Sequence, residues 1–276
     1  MFNLWSSPTV TGCGFYGNSA MQGGGMYNDW DSSPQVRSST FRGNSASNAG
    51  GGMFNDATSP TLTDVTFSAN EAVNGGGLYN FNASNCILTG ATFSANSAQD
   101  GSGMFNDSSS PTLTDITFSA NTAQVSGGGL YNAASSPTLT NVTFSSNTAQ
   151  DRGGGMYNFD FSSPTLTDVT FSDNTALKGG GMFNDGSSPA VQNCLFESNH
   201  ATYGGGMYNT SSSPTVMSCT FENNLGYDGG GMYNINSSSP VLTGSSFGNN
   251  YAVWGGGGMY NIYSSPTLNT VIFRSN

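Results

Sequence analysis

The motif Phe-x-x-Asn returns at Phe15, Phe41, Phe67, Phe93, Phe118, Phe144, Phe171, Phe196, Phe221, Phe247 and Phe273, with 25 to 27 residues from one copy to the next. A fixed period of this size marks a solenoid, in which one short unit stacks on itself. A proline stands seven residues before each Phe except in the fourth copy, where Cys86 takes its place, and all 10 prolines lie in that column. Spacing varies in two stretches only, after the Phe-x-x-Asn asparagine and between a second asparagine and the proline. Length change is tolerated where backbone is exposed, so both stretches read as loops.

The array runs without a change of composition over residues 1–276, which predicts one continuous domain rather than several globular ones. It opens on Met1-Phe2-Asn3, the counterpart of Met182-Phe183-Asn184, and closes on Phe273-Arg274-Ser275-Asn276, so it begins and stops in mid-repeat. Two expectations follow: a window of a longer protein, or open ends that pair with further copies. With 16 acidic and 5 basic residues the net charge is -11, which repels phosphate backbones and anionic lipid; nucleic acid is not an expected partner. No apolar run reaches the roughly 18 residues of a membrane helix, so no membrane insertion is expected in this segment.

Within a copy the apolar residues alternate with period two, and Pro, Gly and Asn/Ser clusters interrupt every few positions. That leaves room for three short strands per copy, at 165–167, 169–172 and 181–184 in the clearest one. A strand of three residues buries nothing alone, whereas parallel stacking gives each column a like neighbour. The predicted fold is therefore all-β, a parallel β-helix of about ten and a half turns, on the order of 50 Å long at strand spacing. Inward columns would be the Val/Leu two residues after the proline, the Phe, the Met/Leu after the glycine run, and a small Ala at a corner.

Two asparagine columns are complete. One holds Asn18, Asn44, Asn70, Asn96, Asn121, Asn147, Asn174, Asn199, Asn224, Asn250 and Asn276; the other holds Asn3, Asn28, Asn55, Asn80, Asn106, Asn132, Asn158, Asn184, Asn209, Asn234 and Asn261. Stacked side-chain amides can bond to their images one turn away, and Asn tolerates left-handed backbone, so both columns are expected to be structural ladders. The glycine run before Met lacks a following Lys-Ser/Thr and recurs in every turn, which makes it a corner device and not a phosphate loop. Cys13, Cys194 and Cys219 sit two residues before a Phe as small core fillers. Cys194 and Cys219 fall one turn apart, about 4.8 Å by strand spacing, which leaves their redox state open.

Phe67-Ser68-Ala69-Asn70 with Gly75-Gly76-Gly77-Leu78 resembles the paired repeats of the chlamydial polymorphic outer-membrane protein family, and the likeness extends over the whole chain. The resemblance implies a right-handed parallel β-helix that is extracellular or at the cell surface, with adhesion as its role. This chain has Gly where that family's repeat has Ala before the apolar residue.

If Met points inward, the next residue points out, and it is aromatic in every copy: Phe2, Tyr27, Phe54, Tyr79, Phe105, Tyr131, Tyr157, Phe183, Tyr208, Tyr233 and Tyr260. Such a file is expected to be an exposed apolar stripe contacting another rod or a glycan, unless loops fold over it or its rings merely stack. Outward Thr-x-Thr pairs such as Thr112/Thr114, Thr138/Thr140 and Thr165/Thr167 resemble an ice-binding face, interrupted by Arg37, Gln192, Met217, Val241 and Asn269. Parallel β-helices that cleave polysaccharides, of the pectate-lyase-like type, are the enzymatic alternative. Those need carboxylates set across a bond, or a carboxylate-held calcium with a base beside it. Here the acids fall at repeated turn positions, His200 stands alone, and the one mixed cluster, Asp151-Arg152 with Lys178, reads as a surface ion pair. The expectation is a non-enzymatic, cofactor-free structural or adhesive rod, with self (end-to-end or lateral) or surface glycan as partner.

Overall fold

The computed structural model describes Met1–Asn276 as a parallel β-solenoid built from strands and turns alone. Three 11-stranded sheets run the length of the rod. The Met sheet stacks strands such as Met156–Phe159 on Met182–Asp185, the Pro sheet stacks Thr138–Thr140 on Thr165–Thr167, and the Phe sheet stacks Thr143–Ser145 on Thr170–Ser172. Every pairing is parallel and sets like on like: Met156 on Met182, Leu139 on Leu166, Phe144 on Phe171. The predicted strand at 169–172 begins one residue later, at Thr170, because Val169 turns inward at the corner and is buried there. A fourth, broken sheet forms at the Ala corner, with seven strands from Ser97–Asp100 to Tyr251–Gly255 and two more, Ser19–Gln22 on Ser45–Ala49. Loops of unequal length enter that corner, which is why its pairing is intermittent. No helix is long and apolar enough to cross a membrane.

The interior is one narrow core of Val/Leu, Phe, Met/Leu and corner Val, Ile, Ala or Cys. Its Phe rings stack face to face: Phe118, Phe144 and Phe171 have centroids 4.8 Å apart and interplanar angles of 2° and 4°. Coil repeat and ring thickness agree closely enough that each ring touches the next. The glycine run clears the path for this stack. A Cβ on Gly155 would lie 2.6 Å from the Gly181 carbonyl oxygen and 2.9 Å from Phe171 Cδ1.

Both asparagine columns are continuous hydrogen-bonded ladders. After the Phe, each side-chain NH2 donates to the amide oxygen one coil on, at 2.8–3.0 Å from Asn18 to Asn276. Asn96 shows the full pattern. Its Oδ1 accepts from the Asn70 side-chain and backbone N–H groups, and its Nδ2 donates to Asn121 Oδ1 and back to the Phe67 carbonyl. All four hydrogen-bonding capacities of a buried carboxamide are thus used. The second ladder, Asn3 to Asn261, carries one amide bond of 2.7–2.9 Å per coil. Asn itself does not supply left-handed backbone. The residue before it does, as at Ala95 (φ 53°), Ala120 (φ 53°) and Ser146 (φ 56°), so the amide is free to lie along the axis.

A third ladder escapes a reading based on Phe, Asn and Pro. The Ser or Thr two residues before each proline is buried from Ser32 to Ser238, and the serine hydroxyls accept the backbone N–H of the preceding coil, as Ser135 does from Ser109 and Ser162 from Ser135, while the Thr58 hydroxyl is left without a partner. The next Ser, exposed, accepts in the opposite sense, from the coil that follows: Ser136 from Ser163, and Ser163 from Ser188. At this turn the backbone N–H groups go to hydroxyls of the neighbouring coils instead of to carbonyls. The signal was the unbroken Ser/Thr at that column.

Replacing Asn121 with Ala removes four bonds at once and leaves the Asn96 amide, its backbone N–H, the Phe93 carbonyl and Asn147 Oδ1 each short of a partner. Two of these keep another bond, Asn96 Nδ2 to the Phe67 carbonyl and Asn147 Oδ1 from the residue-121 backbone N–H, so at roughly 1–3 kcal/mol for each of the other two the rod should lose about 2–6 kcal/mol. Urea denaturation followed by circular dichroism measures it, with exposed Thr138→Ala as the near-neutral control.

Candidate functional site

The aromatic column turns out of the core, as alternation with Met requires, yet it is not an exposed stripe. Phe54, Tyr79, Phe105, Tyr157, Phe183, Tyr208 and Tyr233 are buried, Tyr27, Tyr131 and Tyr260 are half-buried, and only Phe2 on the first coil is open. Two things cover the rings. Each packs on its neighbours, some flat, as Phe54 on Tyr79 at 5.2 Å and Tyr208 on Tyr233 at 4.9 Å, and others edge to face, as Tyr27 on Phe54 and Phe105 on Tyr131. The glycine turn then folds across their roots, so closely that a Cβ on Gly153 would sit 2.8 Å from Tyr157 Cβ. The rings therefore form a second, outer hydrophobic layer.

The residue that precedes the glycine run completes the cover. These residues pair coil to coil as a corner column: Gln22, Ala49, Asn74, Asp100, Ser126, Arg152, Lys178, Tyr203, Asp228 and Gly255. Two of the long ones lie on the rings. Arg152 Nη1 donates to the Tyr157 hydroxyl at 3.2 Å with its guanidinium 5.8 Å from the ring centroid, and Tyr203 packs 5.6 Å from Tyr233. Tyrosine hydroxyls then reach carboxylates on the far side, Tyr79 to Asp107 at 3.2 Å and Tyr27 to Asp29 at 3.3 Å.

The cluster of Asp151, Arg152 and Lys178 is an ion-paired group. Asp151 bonds Arg152 Nε at 3.0 Å and Lys178 Nζ at 3.6 Å, and Arg152 is further engaged by Tyr157. The repeated acids Asp64, Asp115 and Asp168 occupy corners with φ of 53°, 57° and 56°, and Asp115 accepts from the Asn141 amide one coil on. They serve turns and do not converge. His200 is exposed, and no three His, Cys, Asp or Glu side chains lie together as a metal set. Cys86, Cys194 and Cys219 are buried and free, Cys13 exposed and free. The Cys194 thiol is held well above its usual range by its hydrogen bond to Cys219 and by burial. The Thr-x-Thr pairs lie outward and in line on the Pro sheet, and Ile87 joins the interruptions expected there.

Coils of this length and pairing match a known family along the whole chain. The family model described as a right handed beta helix region matches residues 3–166 and 140–276. The chain belongs to the right-handed β-helix family. No curated protein matches the sequence significantly. Membership gives the rod its hand. Right-handed β-helices include enzymes and non-enzymes alike, so function has to be argued from the side chains on this one's faces.

The buried rings of this β-helix make it sensitive to alkali. Burial pushes the Tyr157 and Tyr233 hydroxyls up to about 12, and Tyr79 and Tyr131 move the same way. An unfolded tyrosine ionises near 10, so the folded rod keeps protons that the unfolded chain would release. Stability is complete below pH of about 10 and is lost as pH rises toward about 12. Tyrosinate absorbance from the stripe should therefore appear only together with loss of β circular dichroism; its appearance with the fold intact would contradict the burial described.

Proposed function

We propose that the β-helix is a non-enzymatic structural or adhesive rod of the cell surface or extracellular space, binding glycan through its outward faces. The observation that carries this reading is the stacking of like polar side chains along those faces. Thr112, Thr138 and Thr165 lie in one line on the Pro sheet, and Thr117, Thr143 and Thr170 with Ser119, Ser145 and Ser172 in two more on the Phe sheet. One hydroxyl per coil, about every 4.8 Å, offers a periodic polymer many weak contacts at once, and repetition converts weak contacts into avidity. The interior needs no ligand to be satisfied, since its amides bond to one another. Asp151, Arg152 and Lys178 are paired with each other, and Asp64, Asp115 and Asp168 are fixed in turns. The resemblance of the Phe-x-x-Asn and glycine motifs to chlamydial surface repeats supports the same role and place.

Self-association is a second reading. A head-to-tail contact between copies repeats the coil-on-coil pairing without closing, which gives a filament. Sedimentation velocity over a range of concentrations tests it: growing species are expected, and a single monomer throughout removes it.

Co-sedimentation with insoluble chitin, cellulose and peptidoglycan tests the main reading. Depletion of the rod from solution by at least one of them is expected. Changing Thr112, Thr138 and Thr165 together to Asp should weaken it by about tenfold or more, the equivalent of at least 1.4 kcal/mol. No depletion by any polysaccharide, or reducing ends or unsaturated uronides accumulating in proportion to protein, would overturn it.

A further inference from the structure

The cover over the aromatic layer is thin at Ala49. Arg152 reaches across the ring of its own coil and Tyr203 packs on Tyr233 of the next, but Ala49, in the same column, carries only a methyl group. Over that coil a cleft of about 220 Å³ remains, with Phe54 and Tyr79 as its floor and Phe81 as one wall. The rim is polar: Gln22, Asn48 and Asn74 bring three carboxamides, and Asp56 a carboxylate. None of the three carboxamides bonds to another protein group, while the Asn48 backbone carbonyl is fully used by the Val73 and Asn74 N–H groups. Asp56 gives one oxygen to Asn82 Nδ2 at 3.3 Å and keeps the other free.

Size, charge and ring geometry narrow the occupant. The volume lies below the roughly 300–1,000 Å³ of drug-sized pockets and suits one six-membered ring. Asp56, with Asp29 on the coil before it, repels anions, and burial holds the Asp56 carboxyl above its ordinary range. A cation cage needs open ring faces, whereas Phe54 and Tyr79 lie flat on each other, 4° from parallel. Phe81 offers surface, being 37 % exposed, and half-buried Tyr27 lines the cleft with it. Donors and acceptors side by side on three amides call for a ligand with several neutral hydroxyls, and an apolar wall calls for a C–H face.

We propose that the cleft opened by Ala49 holds one neutral pyranose unit of a glycan, its C–H face against Phe81 and its hydroxyls on Gln22, Asn48, Asn74 and Asp56. This deepens the glycan-binding reading and rests on it. A single ring in an open cleft binds weakly, with Kd on the order of 1 mM.

Saturation-transfer and titration NMR of the full chain with methyl glucoside, methyl galactoside and N-acetylglucosamine tests the site. Saturable binding of at least one is expected. Ala49→Arg fills the cleft with the residue the column itself carries at Arg152, so the melting curve should not move while binding weakens by about tenfold or more. Asn74→Ala leaves the cleft open and should weaken binding severalfold, which keeps the test decisive should Ala49→Arg disturb the fold. The site is overturned if the native chain binds none of the three sugars, if Ala49→Arg binds them as well with an unchanged melt, or if choline binds in their place. Co-sedimentation separates the two readings: a chain that binds chitin, cellulose or peptidoglycan but no single sugar loses the cleft and keeps the rod, and one that binds neither loses both.

Discussion

The rod depends on a carboxamide that bonds to its own image. An asparagine amide carries two donors and two acceptor sites, and when coils stack at strand spacing all four are answered by the coils above and below. Asn96 shows this in full. Because every amide points the same way along the axis, the dipoles run head to tail and each bond polarises the next. In a dry core the alternative is an orphaned amide, so a coil that slipped by one residue would lose the ladder and turn its apolar face outward together. Registry is thus enforced twice, by polar pairing and by the Phe stack, and the two agree because both read the same repeat.

The other parts follow from that registry. Phe rings at 4.6–4.9 Å through the buried coils need backbone without side chains beside them, and the glycine run provides it. The same glycines let the chain double back across the outer rings and build a second layer. Serine hydroxyls hold the turn before the proline, where they take backbone N–H groups in place of carbonyls. Polar groups inside are therefore spent on holding coils together, and whatever the protein recognises has to be met by its outward columns and by the places where the outer layer is thin.

Much of this was legible in the residues. The period gave the coil, the unbroken Phe and Asn columns gave the core stack and the ladders, and alternation gave the side on which each ring lies. The paired Ser/Thr before the proline was equally legible as a column, but its ladder went unread because Ser and Thr are common in any exposed turn. The aromatic stripe shows the limit. Periodicity says that Tyr157 points away from Met156; it does not say that Arg152 and the turn at Gly153 close over it. Cover is a property of where a loop comes to rest, and loops are the part of the repeat whose length and composition vary.

The sequence by itself determined the repeat, the strand directions, the inward columns and the amide ladders, since each is a matter of like above like at a fixed spacing. Only the tertiary structure decided which outward residues meet solvent. It buried most of the aromatic file, joined the charged cluster in ion pairs, and left an opening at Ala49, which is too short to reach across. Spacing along a chain fixes which residues share a column, but whether a column is open depends on the volumes of side chains brought in from the neighbouring corner, and those meet only once the coil has closed.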